Sequence, residues 1–164
     1  MRPVPHPRGP GQESVWDYPR PPRLETCDSL VEVALGGKLV ASTRRALRVL
    51  ETSHPPTYYL PAVDFVEHSL RACPGSSFCE WKGTACYFDV VSDGTVARRA
   101  AWFYPDPTPA FAELADHVAV YPGAMERCLV DGEVVRPQPG GFYGGWITSR
   151  VVGPFKGEPG TQYW

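Results

Sequence analysis

The sequence predicts a β-dominated α+β domain, a set of antiparallel hairpins accompanied by two short helices. Three observations predict it. Short apolar segments recur along the chain, two-residue turns rich in glycine join them in pairs, and only two stretches carry helical character. At 164 residues and 43% hydrophobic, the chain suits one domain whose core needs neither disulfide nor metal to hold it.

Residues 1–26 are rich in proline and nearly free of aliphatic side chains, so they read as a partly disordered arm, with Trp16 and Tyr18 able to anchor its last part. The domain then runs over 27–164. Val31–Leu35 and Lys38–Ser42 alternate around Gly36-Gly37, a pair that accepts the positive φ of a tight hairpin turn. The first helix is expected over Thr43–Glu51, with Ala46, Leu47 and Leu50 as its buried side, and Pro55-Pro56 stops it. Thr57–Pro61 is extended, and Cys73-Pro74-Gly75 is expected to turn the chain. Phe78–Lys82, Ala85–Val91 and Val96–Tyr104 read as strands, the last two joined at Ser92-Asp93-Gly94. Pro109 suits the first turn of a second helix reaching Asp116. His117–Tyr121 is a further strand, and Asp131-Gly132 closes a third hairpin between Cys128–Val130 and Glu133–Val135.

Composition narrows the function. A formal net charge of -2 excludes a general electrostatic grip on nucleic acid, which needs a basic field. No apolar run approaches a membrane span, and charge and proline fill the N-terminal stretch where a signal peptide is apolar, so a cytoplasmic, membrane-free protein is expected. Cys27, Cys73, Cys79, Cys86 and Cys128 are odd in number and form no Cys-x-x-Cys pair. No metal site or cofactor is therefore expected. Arginine far outnumbers lysine, which occurs only at Lys38, Lys82 and Lys156, and asparagine is absent, as coding bias in a GC-rich genome would produce.

Two constellations carry chemistry. In Cys79-Glu80-Trp81-Lys82-Gly83, a glycine-supported bulge could turn Cys79 and Lys82 toward one cavity, where the ammonium would favour a thiolate. Glu51-Thr52-Ser53-His54 places a carboxylate and an imidazole one helical turn apart, a spacing suited to a general base and its orienting group. Aromatic residues are more numerous than one small core requires, and Tyr58, Trp81, Trp102, Tyr104 and Tyr121 are the expected lining of a ligand pocket. The tract Gly140-Gly141-Phe142-Tyr143-Gly144-Gly145-Trp146 lacks the phosphate-loop pattern and reads as a loop bringing aromatic side chains to the sheet.

Glu51, Tyr58-Tyr59-x-Pro61, Cys79-x-x-Lys82-Gly83, Ala101-Trp102-x-Tyr104 and the strand ending at Tyr121 together resemble the bacterial and fungal domain-of-unknown-function family 427, in an actinobacterial form. The resemblance spans Val15 to Trp164. It implies a β-tent architecture, similar in topology to translationally controlled tumour protein and the methionine sulfoxide reductase B fold. It also brings a nucleotidyltransferase-like label, for which the nearest acidic pair, Asp131-Gly132-Glu133, is a hairpin turn and not a magnesium site. Glu80 replaces the proline common after the family's cysteine, and Val120 replaces an aromatic. The cysteine pairs that bind zinc in related tent folds are missing, so the resemblance carries over no metal.

The resulting expectation is a small-molecule-binding domain with an anionic ligand in an aromatic pocket. In an enzymatic version Cys79 is the nucleophile, Lys82 holds the anionic group, and Glu51 or His54 acts as base. The alternative is a non-catalytic interaction module that presents the aromatic surface and the N-terminal arm to a protein partner.

Overall fold

The computed structural model describes residues 2–164. Fifteen strands follow one another: β1 (Glu13–Ser14), β2 (Arg23–Cys27), β3 (Val31–Leu35), β4 (Lys38–Thr43), β5 (Ala46–Leu50), β6 (Thr57–Pro61), β7 (Leu70–Cys79), β8 (Gly83–Ser92), β9 (Thr95–Phe103), β10 (His117–Val120), β11 (Arg127–Val130), β12 (Glu133–Val134), β13 (Arg136–Pro137), β14 (Trp146–Ile147) and β15 (Val151–Val152). A seven-stranded antiparallel sheet in the order β2-β5-β6-β10-β9-β8-β7 carries the chain's main core. A four-stranded antiparallel sheet, β12-β11-β3-β4, shares that core, and two short pairs, β1-β15 and β13-β14, complete the structure.

The hairpins form where the turn chemistry places them. Gly36 and Gly37 take φ of 63° and 79° between β3 and β4; Asp93-Gly94 and Asp131-Gly132 take the same left-handed conformation between β8 and β9 and between β11 and β12. The twist of such turns matches that of the strands they join.

The large sheet is buried on both faces over its middle. One side brings Tyr58, Leu60, Val118, Val120 and Ala101 against Val31, Val33, Val40, Cys128 and Val130 of the smaller sheet, with Trp146 fully buried among them. The other side collects Leu47, Val49, Tyr59, Ala119, Trp102, Tyr104, Ala85 and Tyr87, covered by Phe111 and Leu114. A third cluster packs Val15, Trp16 and Tyr18 on Leu50 and Val151, so the N-terminal segment is pinned before the sheet begins.

Several expected elements differ. The helix expected over Thr43–Glu51 is strand β5: Leu47 and Val49 enter one core, Ala46 the other, and Leu50 the N-terminal cluster. Burial on both faces produces the same run of apolar residues as a buried helix. The second helix is a 3-10 segment, Pro109–Leu114, broken at Phe111. Cys73-Pro74-Gly75 does not reverse the chain but forms a bulge inside β7, where the pairing with β8 slips between Cys73 and Ser76. Arg23–Thr26, counted with the proline-rich arm, belongs to the edge strand β2. No helix is long and apolar enough to cross a membrane.

Trp146 anchors the core shared by the two sheets: its indole N–H donates to the Val120 carbonyl at 3.3 Å and its ring lies 4.8 Å from that of Tyr58. Trp146→Ala is expected to lower unfolding stability by about 3–5 kcal/mol, as for other large aromatic truncations. Phe142→Ala, at a side chain 77% exposed, should change it by less than about 0.5 kcal/mol. Urea titrations of both variants check the contrast.

Candidate functional site

Strand registry builds one row of side chains across the large sheet. Leu47 pairs with Tyr59, Ala119 with Trp102, Trp102 with Tyr87 and Tyr87 with Cys73, and all six side chains belong to the same cluster. The small Ala119 leaves room beside Tyr59 and Trp102, whose indole N–H donates to the Tyr59 hydroxyl at 3.3 Å. Tyr104 lies 6.3 Å from Tyr59, and Tyr121 lies tilted on Trp102 with ring centroids 4.5 Å apart. Burial drives the Tyr59 and Tyr104 hydroxyls far above the ordinary phenol range, so both remain neutral.

Tyr58 is not part of this row. Adjacent residues of a strand point to opposite faces, so Tyr58 enters the other core against Trp146 while Tyr59, absent from the expected lining, takes its place. The alternation of β6 was the signal that distinguishes them.

Glu80, Trp81 and Lys82 form the loop between β7 and β8 and do not extend a strand. Thr108 fastens this loop: its hydroxyl donates to the Trp81 carbonyl at 2.6 Å and its N–H to the Lys82 carbonyl at 3.1 Å. Held this way, the half-buried Lys82 places its ammonium 5.8 Å from the Tyr104 ring centroid, a cation–π arrangement. Among the described residues it has no carboxylate within 4.0 Å. Cys79, the last residue of β7, packs half-buried on the aromatic cluster. No hydrogen bond joins it to Lys82 among the described residues, so the bulge expected to turn the two together is replaced by the loop.

Glu51 and His54 meet, but within a turn and not on a helix. Imidazole Nε2 is 3.6 Å from Glu51 Oε2, and the same carboxylate is held by Arg20 at 3.1 Å. Gln138 fixes the tautomer. Its amide nitrogen donates to the Lys156 carbonyl at 2.8 Å, and its amide oxygen accepts the Gly145 N–H at 3.1 Å, so the contact at 3.0 Å to His54 Nδ1 is also a donation from the amide nitrogen. The imidazole proton therefore sits on Nε2, facing Glu51. Both ring nitrogens are engaged, and the Tyr143 ring covers the imidazole edge-on at 4.8 Å. His54 thus serves to fix the turn and the tail loop, with no lone pair free to act as a base.

The tail loop closes over the row. Gly144 is required there because a Cβ would overlap the Trp102 ring. Sequence reading singled out this glycine-aromatic tract but not Gln138, whose carboxamide shows no motif and gains its role only from the three groups it joins.

Two hollows of about 240 and 250 Å³ lie away from these rings. Arg2, Trp16, Arg20, Thr52, Tyr163 and Trp164 line the first. Arg48, paired with Glu13 and Glu25, walls the second beside Tyr58 and Arg150. The Tyr59, Trp102 and Tyr104 rings pack on one another, and what reaches solvent is the rim of Cys79, Trp81, Lys82, Tyr121 and Tyr143.

A sequence profile described as "Domain of unknown function (DUF427)" matches residues 23–131. The chain belongs to the DUF427 family. No curated protein matches it. The DUF427 match takes in Cys79, Lys82 and the aromatic row but stops before Gln138, Tyr143, Gly144 and Lys156, so the loop that covers the row lies outside it.

The His54 environment has a pH consequence. Burial lowers its pKa to about 4; Glu51 opposes this, while Lys156, Arg20 and Lys82 add to it. A folded-state value below the unfolded one means that stability is fully present above about pH 6.5 and is lost as pH falls toward 4. The loss should reach about 3 kcal/mol. Denaturant titrations at pH 7 and pH 4.5 should show a smaller pH-dependent loss in His54→Gln than in the wild type, and equal losses would remove His54 as the cause.

Proposed function

We propose that this DUF427 protein binds a small anionic molecule on the rim of Cys79, Trp81, Lys82, Tyr121 and Tyr143. One observation carries the reading: the Lys82 ammonium is half-buried against the Tyr104 ring and fixed through its backbone by Thr108, without an ion-pair partner among the described residues. A cation drawn partly out of water lowers its energy by accepting an anion. Lys156 strengthens the local field, its ammonium 5.7 Å from the Tyr143 ring. Trp81 and Tyr121 supply apolar surface for the body of the ligand and Cys79 a polar contact.

Binding fits the geometry better than the enzymatic version, in which Glu51 or His54 would act as base. Glu51 is committed to Arg20, and the His54 nitrogens to Gln138 and Glu51. The interaction-module alternative needs aromatic side chains spread on the surface, whereas Trp102 and Tyr104 turn into the sheet. The β-tent architecture implied by the family resemblance belongs to the same proposal, supported by the two antiparallel sheets that share a core.

Thermal-shift screening of the full chain against carboxylate- and phosphate-bearing metabolites tests the site. Hits should lose at least tenfold in affinity in Lys82→Gln, with the folded baseline unchanged; hits indifferent to that substitution place the ligand elsewhere. Thiol alkylation near neutral pH tests the contact at Cys79. It should react far faster than Cys128, whose pKa burial pushes up to about 12, and bound ligand should slow Cys79 severalfold.

A further inference from the structure

The other end of the aromatic row carries a second cation whose placement is more constrained than a surface arginine requires. Arg99 lies on β9 where the pairing with β8 slips between Phe88 and Val90, and its backbone takes φ of 48°, a region uncommon for residues other than glycine. Asp89 holds it there: Oδ1 accepts the Arg99 N–H at 2.7 Å. The same carboxylate lies 3.7 Å from Arg71, so its negative charge faces the backbone and a neighbouring arginine. No carboxylate lies within 4.0 Å of the Arg99 guanidinium among the described residues.

The guanidinium is nonetheless fixed. Its central carbon lies 3.9 Å from the Tyr87 ring centroid, and the bulge in β7 brings Gly75 against it, where a Cβ would come within 2.9 Å of Nη1. Two bulges, on the strands either side of β8, thus open a seat for one planar cation. Hydroxyls gather beside it. Ser77 Oγ and the Tyr87 hydroxyl are 2.7 Å apart, and Tyr121, half-exposed, lies with its ring 4.5 Å from that of Trp102, the cross-strand neighbour of Tyr87.

We infer that Arg99, with the hydroxyls of Ser77, Tyr87 and Tyr121, forms an oxyanion-binding site for a carboxylate or phosphate group. A fixed guanidinium fork matches two oxygens of such a group; Ser77 and Tyr87 use one O–H on each other, so the other O–H of that pair and the Tyr121 hydroxyl are left to donate to the remaining lone pairs. Stacking on Tyr87 leaves the edge of the guanidinium free for in-plane hydrogen bonds. Tyr87 lies four positions along β8 from Gly83, the residue after Lys82, so the backbone positions that carry the two sites stand about 13 Å apart along the strand. The site meets the Lys82 rim at Tyr121 but uses a different cation and does not depend on Lys82.

Amide-resolved NMR titration of the full chain with phenyl phosphate and with benzoate, each against inorganic phosphate, tests the inference and separates the two oxyanion classes. The amides of Ser77, Tyr87 and Arg99 should shift together and saturate for at least one probe. Arg99→Asn, which keeps a side chain tolerant of the left-handed backbone, should weaken that binding at least tenfold; Arg98→Asn, of equal net charge, should change it less than twofold. The inference is overturned by absence of saturable shifts at those three amides with all probes, by equal weakening in both variants, or by indifference to Arg99→Asn. Shifts confined to Lys82 and Thr108 would also overturn it while leaving the Lys82 rim standing.

Discussion

The structure depends on strand β6 being buried on both of its faces. Tyr58 and Tyr59 are adjacent in sequence and belong to different cores, one stacked near Trp146 and the other bonded to Trp102. The alternation of side chains admits no compromise: shifting the strand by one residue would exchange the two tyrosines and place each hydroxyl in the wrong interior. Tyr59 has the Trp102 indole N–H to accept, and the position on the opposite face offers Trp146, whose N–H is already donated to the Val120 carbonyl. Registry from β5 to β8 then follows, because Ala119 must stand where two large rings need space.

The legible parts of the sequence were those set by local backbone chemistry. Gly36-Gly37, Asp93-Gly94 and Asp131-Gly132 marked their hairpins because few residue pairs tolerate two successive left-handed positions. Strand β5 was illegible for a converse reason. Ala46, Leu47, Val49 and Leu50 are all apolar because the strand is buried on both sides, and this erases the period that separates strand from helix. Arg48, which as part of a helix would face solvent, instead reaches across to Glu13 and Glu25, contacts made by segments far away in sequence. The site was legible in residue type and not in arrangement. Residue type marked Lys82 and Trp102 but not Tyr59 or Tyr87, and Arg99 resembled one more residue of an arginine-rich chain until two bulges, neither with a sequence signature, seated it on Tyr87.

In a chain of net charge -2, several carboxylates near the sheet are matched to arginines. Glu13 and Glu25 hold Arg48, Glu51 holds Arg20, Asp64 holds Arg45 and Asp131 holds Arg150. Arg48 and Glu13 are the most interlocked of these, and the Tyr18 hydroxyl donates to the same carboxylate, tying the N-terminal segment to the sheet. Among the cations of the described residues with no carboxylate within 4.0 Å are two held on aromatic faces of the large sheet, Lys82 on Tyr104 and Arg99 on Tyr87. An aromatic face attracts a cation without neutralising it, so neither charge is cancelled by its ring.

The residues that frame this surface come from two parts of the chain with different constraints. The DUF427 match, residues 23–131, holds the sheet, Lys82 and the aromatic row. Beyond it, Gln138 bridges His54, Lys156 and Gly145, and Gly144 lets the tail pass directly over Trp102. A neutral Nδ1 accepts the Gln138 amide N–H, whereas a protonated one would set two donors facing each other. The sheet and its loops therefore supply Lys82 and Arg99, and the tail supplies Lys156 and the cover over Trp102.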